Sequence, residues 1–174
     1  MSTLSIKELS HPAGQVIKIA SGKTLDLKSQ GTTTLPTGSV LQVISATNTN
    51  TANGGFLLQT TSTSFVSVPL AVSITPSSTS SKIMILVNTT TYRAATGYLT
   101  LYRGSTNIAG TNGLANPSGS SSSRFEPVSF SYLDSPNTTS SVQYTLYART
   151  ASGTLYVGGD GDLINSITVM EIQG

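Results

Sequence analysis

The side chains that could support catalysis or bind a metal are few in this sequence. Histidine metal clusters and Ser-His-Asp triads need histidine, and the chain has one histidine, His11, and no cysteine. His11 stands in Ser-His-Pro, in a segment that we expect to be extended, and we interpret it as a plain polar residue. The absence of cysteine excludes disulfides and thiolate metal sites, so stability must come from packing or from oligomerisation.

Acidic residues offer the next candidates. Asp160 and Asp162, in GGDGDL, supply oxygen atoms of the kind that calcium binds, but a complete site needs about six to eight oxygens and no further acid is near in sequence. We interpret this pair as part of a Gly-Asp turn. A sugar-cleaving enzyme would need two carboxylates across a cleft, and Glu126, Asp134 and Glu171 complete the available acids of this region. We predict that the protein is not an enzyme and has no catalytic residue, metal site or cofactor.

Tyrosine and arginine form the one candidate binding patch. A tyrosine couples an apolar ring to a polar tip, and arginine supplies donors, so both suit contact with a sugar. The candidate glycan-contact residues are Tyr92, Arg93, Tyr98, Tyr102 and Arg103. Tyrosine is also common in β-strands that bind no ligand. We therefore prefer the interpretation that these tyrosines are structural residues of the sheets.

The composition excludes several classes of partner. Charged residues make up 9% of the chain, the net charge is +2, and the basic residues are spread out, which gives no electrostatic footprint for nucleic acid or an anionic membrane. No apolar run approaches the roughly 20 residues that a membrane-spanning helix needs, and the N-terminus lacks the apolar core of a signal peptide. We expect synthesis in the host cytoplasm and no membrane insertion.

Low charge, many β-branched residues and scattered turn formers predict an all-β protein. Alternating runs separated by loop-forming stretches favour a β-sandwich, jelly-roll-like, over residues 39–174, with no helix of more than a turn. The predicted strands are Val40–Ser45, Phe56–Thr60, Phe65–Ile74, Lys82–Thr89, Gly97–Arg103, Val128–Leu133, Val142–Arg149, Thr154–Val157 and Ile164–Ile172.

Period-2 alternation identifies the predicted core faces. They hold Val66, Val68, Leu70, Val72 and Ile74 in one strand, Ile83, Ile85 and Val87 in the next, and Val142, Tyr144 and Leu146 later, with Gln143, Thr145, Tyr147 and Arg149 on the opposite face. Pro69 predicts an edge strand or a bulge. Ala151-Ser152-Gly153 predicts a β-hairpin between Val142–Arg149 and Thr154–Val157.

Residues 1–38 differ from the rest, because they hold four of the five lysines and no aromatic residue. Val16–Ile19 and Thr24–Leu27 predict a short hairpin around Ser21-Gly22, and residues 31–38 an extended linker. A lone two-stranded hairpin is marginal in water. We therefore predict an attachment and trimerisation arm, whose apolar residues are Leu4, Ile6, Val16, Ile17, Ile19, Leu25 and Leu27.

Several stretches carry a family resemblance over nearly the whole chain. They are MSTLSIKEL with the following GQVIKIASGKTLDL, LPTGSVLQVIS, TSFVSVPLAVSITPSSTSSKIMILV, YLTLYRGSTNIA, SYLDSPNTTSSVQYTLYART and ITVMEIQG. Together they resemble the short tail-fibre and fibre-like virion structural proteins of tailed bacteriophages, notably those of cyanobacterial phages. The resemblance implies a homotrimer whose arm joins other phage structural proteins and whose β-sandwich knob is exposed on the particle. No catalytic motif carries over.

The expected function is that of a virion structural protein whose knob adheres to host-surface glycans. A capsid-mounted head fibre or decoration protein is the alternative, since the chain is shorter than long fibres with shaft repeats. A soluble carbohydrate-binding module would instead be a monomer with a defined sugar pocket. A glycan depolymerase is the poorest fit of the three. It needs a pair of carboxylates across a sugar cleft, whereas the acidic residues here occur in stretches typical of turns.

Overall fold

The computed structural model of the chain describes residues 21–22, 35–49, 54–93, 96–117, 124–159 and 163–174. The chain divides into two units, Met1–Thr34 and Leu35–Gly174, and all ten described strands belong to the second. The second unit begins before residue 39 because Gly38 N donates to Gln173 O at 2.8 Å and Gln173 N donates to Ser39 O at 2.8 Å. The two predicted arm strands and all seven apolar arm residues lie outside the described residues.

The second unit is all-β, as predicted, and no helix occurs in the described ranges. The strands are β1 Val40–Asn48, β2 Leu58–Thr60, β3 Val66–Ile74, β4 Lys82–Arg93, β5 Gly97–Arg103, β6 Thr106–Asn107, β7 Arg124–Asp134, β8 Val142–Thr150, β9 Leu155–Val157 and β10 Asn165–Ile172.

Two antiparallel sheets form the sandwich. The large sheet has six strands: β1, β10 and β4 lie side by side, β7 pairs with the other edge of β4, and β9 and β2 follow beside the last residues of β4. The small sheet has four strands in the order β3-β8-β5-β6. The predicted β-sandwich is therefore confirmed.

The pairing of strands is nested. β5 pairs with β6, β4 with β7, β3 with β8, β2 with β9 and β1 with β10, always antiparallel. The second unit is thus one long antiparallel ribbon, turned at Gly104 and Ser105, whose strand pairs are shared between two sheets. This is the connectivity of a jelly roll.

The strand directions define two ends of the sandwich. The proximal end holds residues 35–39, the start of β1 and the end of β10. β4 and β8 also begin there, and β3, β5 and β7 end there. The opposite, distal end holds the end of β1 and the starts of β5, β7, β9 and β10.

The core lies between the two sheets and confirms most of the predicted inward faces. Val66 and Val142 are half-buried, whereas the other predicted core residues are buried: Val68, Leu70, Val72, Ile74, Ile83, Ile85, Val87, Tyr144 and Leu146. Pro69 lies in an edge strand, at a register shift between Ser67 and Ala71. The predicted edge strand and the predicted bulge are therefore both confirmed.

The predicted hairpin between β8 and β9 is wrong. Both edges of β8 are occupied, by β3 and β5 of the small sheet, whereas β9 pairs with β2 and β4 of the large sheet. Ala151-Ser152-Gly153, with Gly153 at φ +68°, therefore carries the chain from one sheet to the other. Local alternation with a glycine turn is the same for a hairpin and for this crossing, so it could not distinguish them.

Strand lengths also differ from the prediction. β4 continues to Arg93 and β7 starts at Arg124, because the two pair along their whole length, with Pro127 opposite Thr90. The two-residue strand β6, which carried no sequence signal, is held by its register with Tyr102 and Arg103.

Truncating a core side chain tests this packing. Leu146 is fully buried in β8, so Leu146→Ala should lower the free energy of unfolding by about 2 to 5 kcal/mol. Gln143→Ala, an exposed position on the opposite face of the same strand, should change it by about 0.5 kcal/mol or less. Urea denaturation followed by fluorescence measures both. Equal effects of the two changes would contradict the assigned faces.

Candidate functional site

Asp134 joins the two sheets at the proximal end. Arg103 Nη1 donates to both carboxylate oxygens of Asp134, at 3.0 and 2.8 Å, and the hydroxyl of Tyr144 donates to Oδ2 at 2.7 Å. Asp134 belongs to the large sheet, whereas Arg103 and Tyr144 belong to the small sheet. Burial is the larger cause that raises the pKa of Tyr144, and the hydrogen bond to Asp134 raises it further. The hydroxyl therefore stays protonated and remains a hydrogen-bond donor. These contacts hold the two sheets together, and both carboxylate oxygens of Asp134 are used in them.

Glu171 is fully buried in β10 and accepts four hydrogen bonds. Gln42 Nε2 donates at 2.6 Å, Ser77 N at 2.7 Å, Ser77 Oγ at 2.6 Å and Ser81 Oγ at 2.7 Å. Burial disfavours the charged carboxylate, but the hydrogen bonds outweigh burial and hold the pKa of Glu171 below its ordinary value of 4.5. The charged group therefore fastens the loop before β4 to β1 and β10.

The structure does not assemble a carboxylate pair from the described acids. Asp134 and Glu171 are committed to the contacts above. Glu126 lines an open cavity of about 250 Å³ together with Ala115, Asn116, Pro117, Pro127, Val128 and Ser129, none of which is acidic. His11, Asp160 and Asp162 lie outside the described residues.

Two further classes of site can be assessed over the described ranges. There, no group of three or more His, Cys, Asp or Glu side chains lies close enough to hold a metal ion. Nor does that part of the chain contain a helix long and apolar enough to cross a membrane.

The candidate glycan patch is divided by the fold. Tyr92 lies on the outward face of the large sheet, whereas Tyr98 and Tyr102 lie on the outward face of the small sheet. Arg103 turns to Asp134, and the side chain of Arg93 lies outside the described part of the chain. The grouping assumed that residues near in sequence share a surface, but β4 and β5 belong to different sheets.

A different cluster occupies the outward face of the small sheet, which we call the aromatic strip: Phe65, Tyr98, Tyr102, Tyr147 and Arg149. The Arg149 guanidinium lies 4.0 Å from the Tyr98 ring centroid and 5.2 Å from that of Phe65. Phe65 and Tyr102 are 6.5 Å apart, and Tyr102 stacks on Tyr147 at 3.9 Å. The strip is therefore continuous across β5 and β8 and reaches Phe65, the residue before β3.

Sequence reasoning found part of this strip. Alternation correctly put Tyr147 and Arg149 on the face opposite the core of β8. Their contacts with β5 depend on register, since Tyr98 pairs with Arg149 and Tyr102 with Thr145. Phe65 precedes β3 and carried no signal of its own.

A second aromatic group lies on the large sheet near the distal end. Phe56 is 4.7 Å from Tyr156 and 5.9 Å from Tyr92, and Tyr92 is 4.9 Å from Phe125, between ring centroids. The register explains it, because Tyr92 pairs with Phe125 on one edge and with Tyr156 on the other. The rings pack on one another and cover this part of the sheet.

An apolar row crosses the outward face of the large sheet near the proximal end. Val43, Met170, Met84 and Leu133 are direct cross-strand partners in β1, β10, β4 and β7. Val43 is 55% exposed and Leu133 44% exposed. The next two rows toward the distal end are Ser45, Thr168, Leu86 and Ser131, then Thr47, Ser166, Asn88 and Ser129. Two rows of mostly hydroxyl-bearing side chains thus lie between the apolar row and the distal aromatic group.

The sequence matches no protein-family model, and no curated protein is significantly similar to it.

The buried carboxylate predicts a pH-dependent stability. Because the pKa of Glu171 is lower in the folded than in the unfolded chain, the unfolded chain binds more protons in acid. The stabilisation is therefore present above pH 4.5 and lost as the pH falls through the folded-state pKa. Glu171→Gln should lower the free energy of unfolding by about 1 to 3 kcal/mol at pH 7 and flatten its decline in acid.

Chemical denaturation from pH 7 down to the acid limit of folding measures this effect. Ser81→Ala removes one donor and keeps the carboxylate, so it should reduce the pH dependence without abolishing it. An acid decline in Glu171→Gln as steep as in the unaltered protein would assign the pH dependence to other groups.

Proposed function

We propose that this protein is a bacteriophage virion structural protein, a short tail fibre or fibre-like appendage that assembles as a homotrimer. Its N-terminal arm attaches it to other phage structural proteins of the tail or capsid. The β-sandwich stands exposed as a knob and contacts glycans of the host surface. The location of the protein is accordingly the surface of the phage particle.

The observation that carries the proposal is the apolar row at the proximal end. Single exposed apolar residues are ordinary on protein surfaces, but a contiguous exposed patch marks an interaction site. Val40, 50% exposed, pairs with Ile172 in the next row toward the proximal end, and Leu35, 41% exposed, is the first residue of the second unit. The apolar surface therefore lies at the same end of the β-sandwich as the first residues of the second unit, which suits a knob that is held at that end.

The chemistry of the described residues also supports a structural role over an enzymatic one. Among the described residues, two of the three carboxylates, those of Asp134 and Glu171, accept hydrogen bonds that hold the strands together. Tyr144 is one of the donors to Asp134. A depolymerase would need two carboxylates free to meet a sugar. The same features support the alternative of a capsid-mounted head fibre or decoration protein, and image reconstruction of the labelled virion separates it from a tail fibre.

Removing the first unit tests attachment. A chain that begins at Leu35 should remain folded, because the ten strands and their core lie within Leu35–Gly174. It should be missing from purified particles when it is supplied in place of the full chain. Far-ultraviolet circular dichroism and quantitative mass spectrometry of the particles measure the two outcomes. Normal copy number for the truncated chain would place the anchor in the β-sandwich.

Changing the apolar row tests assembly separately. Burial of an aliphatic side chain is worth about 1.5 to 3 kcal/mol, so Val43→Ser with Leu133→Ser should weaken self-association by at least about tenfold. The matched control is Leu163→Ser with Ile164→Ser, because these residues are 46% and 69% exposed near the distal end. Sedimentation velocity measures both proteins. An equal effect of the two double changes, or none from the first, would remove the row from the interface.

A further inference from the structure

The aromatic strip of the small sheet combines stacking surfaces with Arg149, which has no carboxylate partner among the described residues. Among the described residues the acids are Glu126, Asp134 and Glu171, in β7 and β10 of the large sheet. Asp134 is bound to Arg103, and Glu171 is fully buried. The outward face of the small sheet therefore carries the charge of Arg149 without a neutralising carboxylate from the described ranges.

Arg149 is held in place by neutral groups. Its Nη2 donates to Thr111 O at 3.4 Å and to Asn112 Oδ1 at 3.3 Å, while its Cζ lies over the ring of Tyr98. An arginine has five N–H donors, and in the described part of the chain only Nη2 has a hydrogen-bond partner. The remaining donors are oriented in advance, which lowers the entropic cost of binding an anion.

The rings beside Arg149 determine what kind of anion fits. Tyr102 and Tyr147 stack on each other, and Phe65 lies between this pair and the guanidinium. Tyrosine presents an apolar face for the C–H side of a sugar ring and a hydroxyl for its oxygen atoms. Thr145 and Gln143, on the same outward face of β8, add polar groups. A continuous strip of this kind suits an extended ligand with repeating rings.

We infer that the aromatic strip is a binding site for acidic polysaccharide, in which sugar rings pack on Tyr102, Tyr147 and Phe65 and a uronic acid carboxylate binds Arg149. The planar fork of a guanidinium matches a carboxylate in two parallel hydrogen bonds. One cation is too few for a nucleic acid, whose affinity depends on several phosphate contacts. The inference deepens the glycan adhesion of the proposed function and rests on it.

The test uses the full-length protein and a panel of purified oligosaccharides. The panel contains oligogalacturonate, oligoglucuronate and oligomannuronate, each beside its fully methyl-esterified form, which keeps the rings and linkages but loses the charge. Titration by nuclear magnetic resonance measures affinity and shows which residues respond. At least one acidic member should bind at the strip, at least about ten times more tightly than its ester, a difference of about 1.4 kcal/mol.

Two matched variants test the role of Arg149. Arg149→Gln should weaken binding of the acidic member by at least about tenfold. Lys82→Gln removes the same charge from an exposed position on the large sheet and should change binding by less than about twofold. The methyl-ester comparison needs no variant, so the inference can still be tested if Arg149→Gln does not fold.

Three results would overturn the inference: no acidic member binds, the esters bind equally well, or Arg149→Gln folds and binds normally. Incorporation of Arg149→Gln into particles separates this inference from the proposed function. Normal incorporation without any glycan binding leaves the virion role standing and removes the site. If the protein binds glycan at the strip but is absent from purified particles, the proposed virion role is contradicted and the proposed binding site is supported.

Discussion

The nested antiparallel register is the constraint on which the rest of the structure depends. Because the first strand pairs with the last and each inner pair follows in order, a change of register in one pair would displace the pair or pairs next to it along the chain. A slip of one residue would also turn a core face such as Ile83, Ile85 and Val87 toward solvent. The register therefore determines both the core and the outward surfaces.

The two buried carboxylates secure this register at the proximal end. Glu171 ties β10 to the loop before β4 and to Gln42 in β1, and Asp134 ties β7 to β5 and β8. Desolvating a carboxylate is costly, and each of these recovers the cost only because several donors converge on it. In both cases strands that are distant in sequence supply the donors. The charged groups thus stabilise a pairing that hydrophobic contacts alone would specify less strictly.

The fold class and the core faces could be predicted because they are local properties of the sequence. Alternation in Lys82–Thr89 and Val142–Arg149 gives the buried side of each strand without any knowledge of its partners. The crossing at Ala151–Gly153 could not be predicted, because it depends on which edges of β8 are already occupied. The predicted glycan patch was divided for the same reason, because a surface depends on which strands lie side by side. Tyr92 and Tyr98 are close in sequence, yet they face solvent on opposite sheets.

The contrast between the two outward faces is the basis of the functional argument. The large sheet carries an apolar row near the proximal end, hydroxyl-bearing rows beyond it and an aromatic group near the distal end, whereas the small sheet carries the aromatic strip with Arg149. These surfaces lie on opposite sides of the sandwich, so a contact made by one does not cover the other. A chain held through the large sheet would keep the aromatic strip in solvent. Under the proposed function, several copies on one particle would bind a repeating polymer together, and weak individual sites would give strong combined attachment.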